Sequence, residues 1–379
     1  AAGAVGPAAQ ALSRGMAKAS SRTARSPQQA RSAPPAAPAL PLAHDVLIVG
    51  GGLVGLTLAL ALARHELSVG LVERADPQAQ LAPGFDLRAS AIASASARML
   101  RALGLGELLD TRGCPIRAIR VTDGVPPSAA NPGRGRPRLL HFDSAEAEPA
   151  DPLGIMLENR DLRAALLDAL GREAGVSLYA PAEIASHSRD ADRATIHLAD
   201  GRTLVAPVML ACDGRPSALR RDAGIRLSGW QYDATAFVTM LAHELPHNNV
   251  ASELFYADGP FALLPMNDLP ATADAPARHR TALVWTVRRR DAAGVKAMSP
   301  RAFCHEAERR MGHVLGKVEL IAPVQGFPLN LQHAERYWAE RLILVGDAAH
   351  GIHPIAGQGL NLGLRDVAAL TEVLSSSAR

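Results

Sequence analysis

The sequence is poor in cysteine and carries no strong excess of either charge. Its three cysteines, Cys114, Cys212 and Cys304, lie far apart and form no C-x-x-C pair, so neither a disulfide framework nor a zinc site is indicated. We therefore expect inert thiols in a reducing compartment, the cytoplasm. The formal net charge of +3 over 379 residues gives no field that would attract nucleic acid, so no nucleic-acid partner is expected.

The sequence also lacks an uninterrupted membrane-spanning run. Residues 46–63 contain no charged side chain, and these 18 residues would be long enough to cross a bilayer. Gly50, Gly51 and Gly52 interrupt the stretch after four apolar residues, so the pattern predicts a short buried strand, a tight turn and a helix. No transmembrane segment is predicted.

Acidic residues are absent from the first 43 positions, which contain the basic residues Arg14, Lys18, Arg22, Arg25 and Arg31. Because this stretch has too little apolar surface to bury, we predict a disordered tail over residues 1–43. A mitochondrial transit peptide has a similar composition and would place the protein on the matrix side. The Pro-rich part at 34–41 is poorly amphipathic, so the disordered tail is the preferred interpretation.

Side-chain sets for hydrolysis are missing as well. The sequence has no G-x-S-x-G motif and no nucleophile beside a paired base, so the chemistry is expected to come from a bound cofactor. His350 and His353 lie close together in the sequence, but two histidines without a third ligand make a poor metal site. No metal is predicted, and loop packing is the preferred role for both.

What is present, directly after the tail, is the pattern of a strand, a helix and a second strand. Residues 44–49 have the composition of a buried strand, 53–64 that of a helix, and 67–72 that of a strand ending in Glu73. Further helices are predicted at 94–103 and 160–170. A hairpin is predicted between 194–198 and 203–211, around the turn Asp200-Gly201.

The glycines of this first unit follow the dinucleotide-binding spacing Gly50-x-Gly52-x-x-Gly55. They permit a tight turn, a close approach of a pyrophosphate to the backbone, and packing of helix on strand. Glu73 stands where a carboxylate accepts hydrogen bonds from ribose hydroxyls and would repel a 2′-phosphate. The motif therefore predicts FAD or NAD and leaves the choice between them open.

A second glycine-rich segment lies near the end of the chain. A strand predicted at 341–345 leads into Gly346-Asp347, and residues 353–366 read H-P-I-A-G-Q-G-L-N-L-G-L-R-D into a predicted helix at 360–374. This run resembles the signature of the ubiquinone-biosynthesis aromatic hydroxylases, the UbiH/VisC group, which are similar in fold to para-hydroxybenzoate hydroxylase. The resemblance covers residues 44–379 and implies FAD as the bound cofactor.

The resemblance implies an α/β (α+β) fold, with a Rossmann-type FAD-binding domain and an antiparallel-sheet substrate domain. The strand-like runs at 236–242, 261–266 and 281–287 lack long helices between them, which also indicates an antiparallel sheet. The predicted boundaries are 44–121, 155–224 and 325–379 for the discontinuous FAD-binding domain, and 122–154 and 225–324 for the substrate domain.

The motif and the resemblance together predict a set of cofactor-binding residues, and no side chain is assigned as catalytic. They are Gly50, Gly52, Leu53, Val54, Gly55, Glu73, Arg74, Arg88, Arg160, Asp213, Gly214, Asp347, Pro354, Gly357, Gln358, Gly359, Leu360 and Asn361. The resemblance implies that Arg88 and Arg160 lie beside the flavin and its pyrophosphate, and that Asp213-Gly214 supports both FAD and a visiting nicotinamide. It implies that Asp347 holds ribityl or ribose hydroxyls.

The resemblance also implies the reaction. An FAD-dependent monooxygenase of this kind uses NAD(P)H or another reductant and O2, forms a flavin C4a-hydroperoxide, and hydroxylates the aromatic ring of a polyprenylphenol in ubiquinone biosynthesis. The chain has no second G-x-G-x-x-G motif, which agrees with a transient electron donor. The implied partners are a hydrophobic phenolic substrate and, through its insoluble tail, a peripheral contact with the inner membrane or with a quinone-synthesis complex.

Two other functions remain open at this point. One is a flavin-dependent isoprenoid reductase, and the other is a catalytically weak flavoprotein subunit of a quinone-synthesis complex. The second is suggested because only 13 residues follow Asp366, which leaves open whether the chain is truncated. The use of the apolar residues in the substrate domain is equally open, since they suit either a polyprenyl tail or a sheet core. They are Phe237, Val238, Met240, Leu241, Phe261, Leu263, Leu264 and Met266.

Overall fold

A computed structural model describes residues 40–82, 84, 86–124, 138–146, 151–272 and 276–377. Of the predicted tail, positions 1–39 lie outside the described residues. Its last positions do not fit the prediction, because Leu42–Ala43 form a strand that runs parallel to Thr203–Ala206. Regular structure therefore begins before residue 44.

The four predicted helices, at 53–64, 94–103, 160–170 and 360–374, are present with slightly different ends, and five helices that were not predicted occur besides them in the described chain. The helices are α1 (Leu53–Ala63), α2 (Pro77–Gln80), α3 (Ser94–Leu100), α4 (Gly106–Arg112), α5 (Asn159–Gly171), α6 (Ala218–Asp222), α7 (Ala292–Lys296), α8 (Pro300–Met311) and α9 (Gln358–Ser377). The helix predicted at 94–103 ends regularly at Leu100, since the chain turns at Gly104 with a φ of +69°. A left-handed glycine of this kind commonly ends a helix.

The strands are short in the N-terminal part and long in the middle of the chain. They are β1 (Leu42–Ala43), β2 (Val46–Val49), β3 (Val69–Val72), β4 (Ala89–Ala93), β5 (Cys114–Ile116), β6 (Ala118–Gly124), β7 (Arg138–Asp143), β8 (Gly154–Glu158), β9 (Val176–Tyr179), β10 (Ile184–Arg189), β11 (Ala194–Leu198), β12 (Thr203–Ala206), β13 (Val208–Ala211), β14 (Leu227–His243), β15 (Val250–Tyr256), β16 (Gly259–Leu269), β17 (Arg278–Arg288), β18 (Val318–Leu320), β19 (Gln325–Ala334), β20 (Trp338–Ala339), β21 (Leu342–Leu344) and β22 (His350–Gly351).

A six-stranded sheet in the order β20-β21-β13-β2-β3-β9 contains the first predicted strand, β2, and the next one, β3. Its strands are parallel except for β20. All four residues of β2 and of β3 are buried, as expected for parallel strands covered on both faces. One face packs on α1, α5 and α9, so the predicted strand, turn, helix and second strand are confirmed.

A four-stranded sheet in the order β1-β12-β11-β10 packs against the other face of the six-stranded sheet. It corrects the predicted hairpin, whose second strand was expected to run without interruption over 203–211. Instead β12 ends at Ala206 and β13 begins at Val208 in a different sheet. Pro207 lies between them and has no N–H to donate to a ladder, which accounts for the break.

The largest sheet has the order β22-β19-β14-β17-β16-β15-β6-β7, with β18 added beside β14. It is antiparallel as predicted, except that β6 and β15 run parallel. β6 and β7 border the predicted excursion at 122–154, of which 125–137 and 147–150 lie outside the described residues. The domain boundaries themselves stay a prediction.

The two faces of this nine-stranded sheet pack on different partners. The outer face, which carries Trp285 and Phe261, packs on α7 and α8 through Phe303. The inner face, which carries Met240, packs on a three-stranded sheet of order β4-β8-β5. Seven of the eight apolar residues whose use was open belong to these cores: Phe237, Leu241, Phe261 and Leu263 on the outer face, and Met240, Leu264 and Met266 on the inner face. The eighth, Val238, is half-buried and belongs to neither core.

No helix among the described residues is both long and apolar enough to cross a bilayer. The uncharged stretch at 46–63, which raised that question, is divided into β2, the glycine turn and α1.

Truncation of Phe303, the α8 side chain that packs on the outer face of the sheet, tests this packing. Phe303 is 2% exposed and contacts the ring of Trp285 at 5.4 Å between centroids. We expect Phe303→Ala to lower the free energy of unfolding by about 3–5 kcal/mol, because it leaves a cavity. Phe327→Ala is the control, since Phe327 is 38% exposed. Equal losses in urea unfolding would contradict the packing described.

Candidate cofactor-binding site

Four neighbouring parallel strands end at the same edge of the six-stranded sheet. Glu73 follows β3, the loop Gly50–Gly52 follows β2, Asp213 follows β13 and Asp347 follows β21. The carboxyl ends of parallel strands are where α/β folds bind ligands. The sheet therefore brings together, at one edge, residues that are far apart in the sequence.

Two glycines of the Gly50-x-Gly52-x-x-Gly55 motif are packed so tightly that no side chain would fit. Gly50 has a φ of +107°, and a Cβ there would lie 2.3 Å from the carbonyl oxygen of Cys212. A Cβ on Gly55 would lie 2.0 Å from the Gly50 carbonyl oxygen. Gly52, in contrast, has no atom near its Cβ position, and no side chain caps α1. Leu53 and Val54 thus begin a helix whose N-terminus is open to an anion.

Glu73 is held in place by the backbone on both sides of it. Its Oε2 accepts a hydrogen bond from the Gly51 N–H at 2.6 Å, and its Oε1 accepts one from the Ala75 N–H at 2.7 Å. A carboxylate has about four acceptor positions, so capacity remains for further donors. Arg74 is exposed beside it.

Arg88 forms a fork with Asp86 next to this edge. Its Nε and Nη2 donate to the two carboxylate oxygens at 2.8 and 2.9 Å. Burial alone would raise the pKa of Asp86, but the hydrogen bonds and the charge of Arg88 outweigh it and hold that pKa below its usual value. The pKa of Arg88 is raised by the Asp86 hydrogen bond and also by the charges of Asp86 and Asp347, so the predicted Arg88 and Asp347 lie near each other.

The arginine that reaches the glycine loop is Arg163, which the sequence analysis missed. Its Nη1 donates to the Gly51 carbonyl oxygen at 3.0 Å and to Gln80 Oε1 at 2.8 Å, and the side chain is buried. The predicted Arg160 is exposed and donates to the Leu81 carbonyl oxygen at 2.9 Å. The sequence did contain a signal for Arg163, since this charged residue lies on the apolar face of the predicted helix, one turn after Arg160.

Asp213 caps α6 with one oxygen and leaves the other without a protein partner. Its Oδ2 accepts from the Ala218 N–H at 2.9 Å, whereas Oδ1 is buried and has no hydrogen-bond partner among the described residues. Such an atom usually indicates a ligand or a water. The adjacent Gly214 has a φ of +76°, which favours glycine.

A cavity of about 800 Å³ opens beside this carboxylate, lined by Val49, Asp213 and Leu219 and by much of β10. Its lining includes neither Gly52 nor Glu73. The predicted pyrophosphate loop therefore lies at an open edge outside this cavity, and we take the strand ends, not the cavity, as the candidate site.

Asp347 is half exposed and is joined to the Asp213 loop by arginines. Arg215 Nε donates to Asp347 Oδ2 at 3.3 Å. The buried Arg220 donates from Nη1 to the Ala348 carbonyl oxygen at 2.8 Å and from Nη2 to the Arg215 carbonyl oxygen at 3.0 Å. These bonds fix the Asp213 and Asp347 loops relative to each other and leave the Asp347 carboxylate accessible.

Asp366 on α9 holds the turn after β21. Its Oδ2 accepts from the Gly346 N–H at 2.8 Å and lies 2.8 Å from His350 Nε2. The hydrogen bond to Asp366 is the main cause of the raised pKa of His350, and the charges of Asp366 and Asp347 add to it. His350 thus packs the loop, as preferred from the sequence.

The last predicted segment is fastened to the three-stranded sheet by Asn361. Its Oδ1 accepts from the Ala93 N–H at 2.9 Å, and its Nδ2 donates to the Ala91 carbonyl oxygen at 2.7 Å. Gly357 has a φ of +62°, and Gly359 is exposed with no atom near its Cβ position. The other predicted residues of this segment are the exposed Pro354 and the half-buried Gln358 and Leu360.

An H-E-x-x-H pattern at residues 243–247 was also missed in the sequence analysis. Zinc proteases carry this pattern on a helix, but here His243 is the last residue of β14. His243 Nε2 lies 3.1 Å from Thr281 Oγ1, and His247 Nε2 lies 2.9 Å from the Met266 carbonyl oxygen. No group of three possible metal ligands occurs among the described residues.

The chain matches known proteins over most of its length. A family model described as an FAD-binding domain matches residues 43–379. The ubiquinone hydroxylase UbiL of Rhodospirillum rubrum is 46% identical over 335 residues, which are 88% of this chain and 73% of that protein. The 3-demethoxyubiquinol 3-hydroxylase of Escherichia coli is 35% identical over 335 residues, or 87% of this chain and 79% of that protein. The chain belongs to this FAD-binding family.

A solved structure agrees on the fold. PqsL of Pseudomonas aeruginosa, described as a probable FAD-dependent monooxygenase, superposes with a TM-score of 0.72 at 24% identity and covers 89% of this chain and 87% of its own. The predicted combination of a Rossmann-type FAD-binding fold with an antiparallel sheet is confirmed. Membership of the family decides between FAD and NAD, and the enzyme is an FAD-dependent monooxygenase.

The described residues fit FAD by their own geometry. The open N-terminus of α1 suits a pyrophosphate, and Glu73 has acceptor capacity at the neighbouring strand end. The orphaned Asp213 Oδ1 and the open side of Gly359 supply further positions where a ligand atom meets no protein group.

The pair of His350 and Asp366 gives the loop a stability that depends on pH. Because the folded-state pKa of His350 is raised, its contribution is complete below the unfolded pKa of about 6.5 and is lost as pH rises through the folded value. We expect His350→Gln to lower the Tm at about pH 6 and to have a smaller effect at about pH 9. The exposed His65→Gln is the control, and a His350→Gln effect that grows with pH would contradict the pairing.

Proposed function

We propose that this enzyme hydroxylates the aromatic ring of a hydrophobic phenol, a polyprenylphenol intermediate of ubiquinone biosynthesis, using O2 and a reduced nicotinamide or another transient electron donor. The observation that carries the proposal is the 46% identity to a ubiquinone hydroxylase across 88% of the chain. The assembly of Glu73, Asp213 and Asp347 at one sheet edge supports it.

We assign a part of FAD to each group at this edge of the sheet. The N–H groups at the start of α1 bind the pyrophosphate, Glu73 accepts from the adenosine ribose, and Asp347 accepts from ribityl hydroxyls. Arg88 lies beside these groups with its guanidinium fixed by Asp86. When bound, FAD carries electrons to O2 and delivers one oxygen atom to the ring.

The start of α9 completes the proposed site. The backbone N–H groups of Gly359 and Leu360 lie in its first turn, where the helix dipole favours negative charge. Charge on a reduced flavin ring would be stabilised there, provided that the loop holds its position. Asn361 fixes that position through its bonds to β4.

A peripheral contact with the inner membrane or with a quinone-synthesis complex follows from the same proposal, because a polyprenyl tail is insoluble in water. The isoprenoid reductase and the catalytically weak subunit are not favoured, since the relatives reported above are named as hydroxylases.

Removal of the Asp347 carboxylate tests its assigned role. We expect Asp347→Ala to weaken FAD binding roughly tenfold or more, because one charge-assisted acceptor is lost. The control is Asp200→Ala, which also removes an exposed aspartate paired with an arginine but lies in the β11–β12 turn. Titration of the apoprotein with FAD by fluorescence measures both, and retained affinity in Asp347→Ala would contradict the role.

The reaction class is tested with isotope-labelled oxygen. We expect the holoenzyme, given a polyprenylphenol and a reductant under ¹⁸O2, to consume O2 only with substrate present and to yield a product heavier by one ¹⁸O atom. Mass spectrometry of the product distinguishes this result from a reductase. A product that gains two hydrogens without oxygen would refute the proposed hydroxylation.

A further inference from the structure

One row of side chains on the inner face of the nine-stranded sheet belongs to none of the hydrophobic cores of the described chain. On each strand, this row lies two residues away from the row that packs on the three-stranded sheet. It is paired directly across four neighbouring strands and consists of Val238, Val284, Ala262 and Glu253. Val238, Val284 and Glu253 are only half-buried, so this row, named here the Val238 row, is partly accessible.

The proposed flavin loop, residues 353–357, contacts the elements on either side of the Val238 row. At one end of that loop, the His353 ring contacts the ring of Tyr232 on β14 with 5.0 Å between centroids. At the other end, a Cβ on Gly357 would lie 3.1 Å from the Ala91 Cβ, and Ala91 packs on the inner-face core. Val238 lies on β14 between Tyr232 and that core. The loop therefore runs past the Val238 row.

Glu253 is a carboxyl group on an otherwise apolar row. Alternation along β15 places it on the inner face with Ala251, whereas Leu254 belongs to the outer-face core. Its neighbours on the adjacent strands are Ala262 and Val121. Burial raises the pKa of Glu253 to about 7, and no nearby charge or hydrogen bond contributes to this shift. A partly buried carboxyl group without a hydrogen-bond partner among the described residues is costly and is typical of a functional site.

The other charged groups of this face form no hydrogen bond or ion pair with Glu253 in the described part of the chain. Asp123 follows Val121 by two residues on β6 and is exposed. Arg280, at the far end of the face, is paired with Glu158 at 2.7 Å. Burial lowers the pKa of His353, on the adjoining loop, below its usual value of about 6.5. Above that pH, Glu253 is therefore the group whose ionisation a ligand on the Val238 row would sense.

We propose that Glu253 accepts a hydrogen bond from the hydroxyl group of the substrate ring and positions that ring on the Val238 row. This inference rests on the proposed function. Three strand spacings of about 4.8 Å separate β15 from β14, which gives a wall roughly 14 Å wide for a substituted ring. A carboxylate there favours an uncharged ring with a hydroxyl donor and disfavours a ring that carries its own carboxylate.

Ligand binding to the holoenzyme tests Glu253 without turnover. The probes are 2-hexylphenol and its methyl ether, which has no hydroxyl hydrogen, and the Kd is measured from the change in flavin absorbance between about pH 6 and pH 8.5. We expect the affinity for the phenol to rise roughly tenfold as Glu253 ionises, and that for the ether to stay constant. In Glu253→Gln, the phenol should bind with the pH-independent affinity of the neutral form, with the ether unchanged.

Asp123→Asn is the matched control, since it removes a neighbouring but exposed carboxylate and should retain the wild-type pH profile. A flat profile for the phenol in the wild type, an equal pH dependence for the ether, or loss of the profile in Asp123→Asn would overturn the role of Glu253 and leave the proposed function intact. Failure of both probes to bind at every pH would overturn Glu253 together with the hydrophobic phenol as substrate.

Discussion

The parallel pairing of β2 with β3 on one side and β13 on the other is the constraint on which the site depends. Since β21 extends the same parallel set, the chain must leave all four strands at one edge. Glu73, Asp213 and Asp347 are thereby brought to the glycine loop, although they are widely separated in the sequence. The candidate cofactor site depends first on the direction of these strands and only then on side-chain chemistry.

A small number of long-range hydrogen bonds then fixes the loops at this edge. Asp366 binds the Gly346 N–H, Arg220 joins the Asp213 and Asp347 loops, and Asn361 ties the start of α9 to β4. Each of these side chains binds backbone groups of a neighbouring loop or strand. The carboxylates of Glu73 and Asp347 keep acceptor capacity for a ligand because other residues hold the loops.

The sequence predicted those parts of the fold that are encoded locally. The spacing of Gly50, Gly52 and Gly55, with Glu73 at the next strand end, was sufficient for a dinucleotide site, and the segment at 353–366 led to FAD. Arg163 and Glu253 were not recognised in this way, although the place of Arg163 on an apolar helix face was a local signal. Their importance comes from contacts across elements, and a single charged residue in a helix or strand pattern normally indicates a solvent-facing position. The break at Pro207 was overlooked although proline is a local signal.

The central claim is that FAD lies along the carboxyl ends of β3, β2, β13 and β21. A crystal structure of the purified, FAD-loaded protein tests it most directly. The account predicts the ribose hydroxyls within about 2.6–3.2 Å of the Glu73 carboxylate, the pyrophosphate at the N-terminus of α1, and the flavin ring beside the start of α9. Flavin bound elsewhere, for example in the cavity beside β10, would contradict the account.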